Sequence, residues 1–149
     1  MKVNIEKIVN ASIKQVWAAM DNPDNLSRWQ PTLESFTHKH GQPGQPDSVA
    51  ELVYNENGRK IMMTETVTER REPDFLAGTY ETNWGKTLIV NTFKAMDDGR
   101  TQWNMYSNMS FKGMMRFFSI FFAGSIRKRT EADMSRFAEM VESDATSSS

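Results

Sequence analysis

The sequence predicts an α+β domain in which an antiparallel sheet of six or seven strands is covered by one long C-terminal helix. Three observations predict it. Five strand-like runs, SVAELVYN, KIMMTETVTERR, FLAGTYETN, TLIVNTFKAM and TQWNMYSNMSF, follow one another at close spacing. Turn chemistry separates them: Asn57-Gly58, Pro73-Asp74, Trp84-Gly85 and Asp97-Asp98-Gly99, which is the signature of an antiparallel meander. The closing thirty-odd residues then revert to helical spacing, with Phe118, Phe122, Ile126, Thr130, Asp133 or Met134, Phe137 and Val141 on one stripe.

The elements follow in order. Val3, Ile5 and Val9 alternate with polar neighbours and predict a first strand. Ser12 is placed to cap a helix over IKQVWAAM, in which Ile13, Val16, Trp17 and Met20 share a face. Asn22 and Pro23 stop it. PDNLSRW opens with proline and aspartate, as a helical first turn does, carries Leu26 and Trp29, and ends before Pro31, which predicts a second short helix. LESFTHKH and the loop GQPGQPD lead into the meander. Such a sheet must bury one face, and the terminal helix is the one element long enough to cover it. The expected domain spans residues 1–143, with 144–149 (DATSSS) as a flexible tail.

Composition excludes several function classes. A chain of 149 residues has the size of a single domain. Eighteen Lys and Arg against nineteen Asp and Glu leave a formal charge of -1, so no global field favours nucleic acid. No cysteine is present, which removes disulfides and thiolate chemistry and accords with a reducing, cytoplasmic setting. MKVNIEKIVNASIKQVW lacks the apolar run of a secretory signal. No phosphate loop, GxSxG elbow or dinucleotide fingerprint occurs, so no cofactor is expected. His38 and His40 stand two residues apart but have no second pair of ligands, and no metal site is expected.

The order strand, two short helices, meander and long helix resembles the START-like superfamily (SRPBCC, or helix-grip) in its polyketide cyclase/dehydrase branch. The resemblance covers roughly Val3 to Val141 and rests on the Ala11-Ser12 entry into IKQVWAAM, on PDNLSRWQP, on TETVTERREPDFLAGTYE and on the Asp98-Gly99-Arg100-Thr101 hairpin. It implies a sheet curled around the helix and a cavity between them for a hydrophobic ligand such as a lipid, polyketide, quinone or other aromatic. None of these segments is a catalytic signature, so enzyme and binder both stay open.

Strand alternation suggests which side chains face that cavity. These are Ile61, Met63, Glu65 and Val67; Leu76, Gly78, Tyr80 and Thr82; Ile89, Asn91, Phe93 and Ala95; and Thr101, Trp103, Met105, Ser107 and Met109. In the third of these strands Leu88 and Val90 are also apolar, and a slip of one residue would invert the set. The expected ligand-binding residues are Trp29, Tyr54, Met63, Glu65, Tyr80, Asn91, Phe93, Trp103, Met105, Ser107, Phe118 and Phe122. Among them Trp29, just before Pro31 near one opening of the grip, is divided between packing and gating. Glu65 is the candidate catalytic residue, because a carboxyl between Met63 and Val67 on an inward face is a costly place for an anion and a useful one for a proton carrier. Asn91 and Ser107 add inward polar groups, as ligand sites commonly have.

GMMRFFSIFFAGSIRKR, from Gly113 to Arg129, is the most apolar stretch. Its 13 residues from Met114 to Ile126 are interrupted by Arg116 and fall short of the about 20 a spanning helix needs. Met115, Phe118 and Phe122 are expected on the inward stripe with Ile126, whereas Phe117, Ile120 and Phe121 wrap around it. That surplus must touch something else: neighbouring short helices and loops, a portal for ligand, or a dimer or membrane-surface patch supported by Arg116 and Arg127 to Arg129.

Overall fold

The computed structural model of the chain describes residues 1–147. Its elements run β1 (Lys2–Val9), α1 (Ile13–Asp21), a 3-10 turn (Pro23–Asn25), α2 (Leu26–Trp29), β2 (Leu33–His40), β3 (Val49–Glu56), β4 (Arg59–Arg71), β5 (Phe75–Thr82), β6 (Gly85–Ala95), β7 (Thr101–Phe111) and α3 (Met115–Ser147). The strands form one antiparallel sheet in the order β1-β7-β6-β5-β4-β3-β2. Consecutive strands are neighbours from β2 to β7, and β1 returns to pair with β7, as expected of a meander closed by its first strand.

Local chemistry explains the entry into the helical layer. Ser12 Oγ accepts from the Gln15 amide at 3.2 Å while Gln15 Oε1 accepts from the Ser12 amide at 3.0 Å, a capping box that satisfies two amides the first turn leaves free. Asn22 Oδ1 caps the 3-10 turn by accepting from the Asp24 amide at 3.0 Å. α1 then buries Val16 and Trp17. Trp17 meets Phe93 edge-on at 6.1 Å, and the Arg70 guanidinium lies 5.1 Å over its ring while forming a bidentate ion pair with Asp21.

The main core lies where the carboxy-terminal half of α3 crosses β1, β7 and the short helices. Met134, Phe137, Ala138, Met140 and Val141 are buried there. Trp29, Trp103 and Phe137 pack as a triangle, with ring centroids 6.2, 5.2 and 4.8 Å apart. Polar clamps secure this end of the helix: the Asn10 amide donates to Glu142 Oε1 at 2.8 Å, and Arg28 pairs with both oxygens of Asp144 at 2.9 Å.

Two expectations need correction. The segment read as a tail continues α3 through Asp144 to Ser147, because its small polar residues add turns to an anchored helix and Asp144 is held by Arg28; Ser148 and Ser149 lie outside the described residues. The amino-terminal half of α3 is also rotated relative to the expected stripe. Met115, Ser119, Ala123, Ile126 and Thr130 are the half-buried positions, whereas Phe118 and Phe122 are 45% and 48% exposed. Both faces of this stretch are apolar, so spacing alone did not choose between them. Phasing is set instead by the carboxy-terminal half, where Met134, Phe137 and Val141 are locked into the core and fix the rotation of everything before them.

Candidate functional site

Register carries the site. Antiparallel partners point to the same face of a sheet, so each row of paired residues is a rib of the concave wall. One rib is Phe93 beside Trp103; the next joins Leu76, Asn91 and Met105; the next Gly78, Ile89 and Ser107; the next Tyr80, Thr87 and Met109. Glu65 pairs with Tyr80, Met63 with Leu52 and Ile61 with Tyr54. The inward sets read from alternation in β4 to β7 therefore occupy the concave face, and β6 is not slipped: Asn91 and Phe93 are buried.

The wall divides into two zones. At the end held by the helix, Trp29, Phe93 and Trp103 are fully packed; of the two roles open to Trp29, the structure shows packing, against Trp103 and Phe137. Met105 and Ser107 are also buried, and Trp103 Nε1 donates to Asn91 Oδ1 at 2.9 Å, so this tryptophan spends its one donor inside the protein. Towards the tips of the β3–β4 and β5–β6 hairpins, Tyr54, Met63, Glu65, Tyr80, Ile89 and Met109 are only half-buried. That second zone is an apolar surface with polar groups set into it. A recess of about 30 Å³ lies at its edge against Met63, Tyr80, Thr82, Trp84, Gly85 and Phe111, room for one water. A wider groove, about 510 Å³, involves Met62, Thr64, Glu81 and Trp84 of the same hairpins.

Glu65 and Tyr80 form the polar centre. They are direct cross-strand partners on β4 and β5, and burial pushes the Glu65 carboxyl above the ordinary carboxylate range although the Tyr80 hydroxyl opposes the shift by favouring the anion. Tyr80 is raised well above its usual value, by burial first and by the Glu65 charge second. Tyr54 donates its hydroxyl to Gln30 Oε1 at 2.7 Å and is likewise raised, by burial and then by Glu65. From α3, Asp133 lies close enough to act on Tyr54; burial raises its carboxyl while the Arg136 guanidinium paired with it opposes the rise. Two carboxyls with raised affinity for a proton and two tyrosines thus share one region, an arrangement suited to holding or moving a proton beside an apolar molecule.

This has a pH consequence for the fold. A carboxyl whose pKa is raised on folding contributes most to stability below the ordinary carboxylate range, and that contribution is lost as pH rises through the raised value. Glu65→Gln, which mimics the protonated form, is therefore expected to melt above the parent at about pH 7, with the difference closing toward about pH 4. Thermal melts across that range check it. A difference that does not vary with pH would mean that the carboxyl titrates as it does in water.

Sequence reasoning missed Gln30 and gave Asp133 no function. Gln30 carried no signal, since its role depends on α2 delivering it across to β3. Asp133 did carry one, an acid on an otherwise apolar helical stripe. Phe118 and Phe122 are not brought to the polar cluster and stand on the outer side of α3. His38 and His40 are exposed, and among the described residues no group of three or more potential ligands is placed to hold a metal.

A curved antiparallel sheet gripping a long C-terminal helix, with an apolar concave wall and a few inward polar groups, defines the helix-grip class of the START-like superfamily. The chain belongs to the polyketide cyclase / dehydrase and lipid transport family, whose profile matches residues 1–145. Its fold is similar to that of an aromatase/cyclase, ZhuI from Streptomyces sp. R1128, with a TM-score of 0.80 at 14% identity over 95% of this chain and 93% of that one. TTHA0849 from Thermus thermophilus is similar over 97% and 99% of the two chains, with a TM-score of 0.80 at 12% identity. Ara h 8.0201 covers 96% of this chain and 98% of its own, with a TM-score of 0.76 at 13% identity. No curated protein matches the chain in sequence. No helix among the described residues is long and apolar enough to cross a membrane.

Proposed function

We propose that the concave face binds a small or medium hydrophobic molecule, lipid-like or aromatic, with its apolar body against Met63, Ile89 and Met109 and one polar end at Glu65 and Tyr80. The observation that carries this reading is the cross-strand Glu65–Tyr80 pair set into a half-buried apolar wall. Apolar burial supplies affinity in proportion to area, and a single polar pair orients the ligand. The family description, which joins cyclases with lipid transport, supports the same class of ligand.

The test is a thermal-shift panel of fatty acids, quinones and flat polyphenols, followed by native mass spectrometry of the stabilising class. One class is expected to raise Tm in a saturable manner, because a ligand that binds only the folded state stabilises it by mass action. Met63→Trp, which fills the wall, is expected to remove that gain. A panel in which no compound stabilises the protein overturns the reading.

The raised carboxyls of Glu65 and Asp133 favour a second reading, an acid/base enzyme of cyclase/dehydratase type using the same surface, with Glu65 carrying the proton and Tyr80 or Asn91 polarising a carbonyl. Glu65→Gln separates the two. A binder keeps its affinity through this change, whereas an enzyme loses turnover while retaining binding.

A further inference from the structure

The amino-terminal half of α3 is built inside out for a helix packed on a sheet. Its protein-facing positions include Ser119, Ala123 and Thr130, while Met114, Phe117, Ile120 and Phe121 are 72–75% exposed and Phe118 and Phe122 nearly half exposed. At 100° per residue these exposed apolar side chains cover more than half of the helix circumference. Patches of contiguous apolar surface on this scale mark a contact with another apolar phase.

Charge identifies which phase. From 112 to 130 the chain carries Lys112, Arg116, Arg127, Lys128 and Arg129 and no acidic residue, in a protein whose formal charge is -1. Arg127 and Arg129 are paired with Glu131 and Glu56. Lys112, Arg116 and Lys128 have no ion-pair partner among the described residues. They flank the aromatic stretch at both ends, with Lys128 on the same helical face as Phe117 and Phe121. A second copy of the chain would bring like charges together across such a contact. An anionic bilayer surface meets both halves of the pattern, accepting aromatic side chains at the headgroup boundary and pairing with cations beside them.

We propose that residues 112–130 dock on an anionic lipid surface, with α3 lying in the interfacial plane and Phe117, Ile120 and Phe121 inserted. The helix begins directly after β7 ends, at the same end of the sheet as the β5–β6 hairpin, since Phe111 pairs with Gly85. Docking therefore sets the half-buried zone of the concave wall beside the lipid. The proposal stands independently of what that wall binds.

The test is co-sedimentation of the full chain with vesicles of phosphatidylcholine alone and with roughly a third phosphatidylserine, at low and high salt. Binding is expected to the anionic vesicles and to weaken with salt. Phe117→Ser and Phe121→Ser are each expected to lower partitioning about tenfold, and Lys128→Glu severalfold, with melting temperatures unchanged because all three side chains are exposed. Absence of binding to anionic vesicles, equal binding to neutral ones, or binding unaffected by the phenylalanine changes overturns the proposal. So does a concentration-dependent dimer, seen by sedimentation without lipid and dispersed by the same substitutions, which would assign this face to a second copy.

Discussion

Trp103→Ala is expected to cost about 4–8 kcal/mol, enough to unfold the protein at room temperature if its total stability lies at the lower end of the usual range. Trp103 has no exposed surface and packs on Phe137, Phe93 and Trp29 from three elements. Truncating a buried tryptophan to alanine costs about 3–5 kcal/mol in lost transfer energy and residual cavity. The same change strips Asn91 Oδ1 of its donor in a buried position, which adds about 1–3 kcal/mol. Domains of this kind have about 5–15 kcal/mol in total. Trp103→Phe bears on the split, since it keeps one aromatic ring in the core while losing the N–H and part of the indole volume; chemical denaturation of both variants measures the difference. A parent-like midpoint for Trp103→Ala would show that β7 and α3 do not share one core.

Gly85→Val is the second large effect expected, about 3 kcal/mol, from crowding rather than from a void. A Cβ at position 85 would stand 2.6 Å from the Ser110 carbonyl oxygen and 3.5 Å from the Phe111 Cα, both backbone of the neighbouring strand. Backbone inside a ladder cannot move aside as a flexible side chain does, so relief requires breaking the last β6–β7 pairs. The Trp84 ring stacked 6.3 Å from Phe111 and the recess lined by both would be disturbed together. Denaturant midpoints measure the loss, and amide exchange along residues 85–89 and 107–111 reports whether it is confined to that end of the sheet.

Much of the fold was legible because period-2 alternation and turn residues agreed over β3 to β7. Asn91 and Phe93 show this: Leu88 and Val90 offered a competing register, yet the polar-containing row Ile89, Asn91 and Phe93 faces inward, since Trp103 needs an acceptor there. Ser12 announced α1 as a cap placed just before an apolar stripe, and the structure adds Gln15 as its reciprocal partner. In the candidate site, Glu65 was visible as a carboxyl out of place on an inward face and Tyr80 as an inward hydroxyl, whereas their pairing across β4 and β5 depends on a register that alternation does not supply. Gln30 reaches Tyr54 from a different layer, which local pattern cannot encode. The rotation of α3 was illegible near Phe118 because a helix apolar on several faces has no preferred side until something distant fixes its phase.

That distant fixing gives α3 two unlike halves. Its last turns cannot leave without exposing Met134, Phe137 and Val141, so they separate only when the whole domain unfolds. Its first turns hide little that water does not already reach, and lifting or fraying them costs mainly their own backbone hydrogen bonds. One continuous helix thus joins a cooperative segment to a nearly autonomous one, with Gly124 between them, whose lack of a side chain weakens the helix by about 1 kcal/mol relative to alanine and whose surroundings are open.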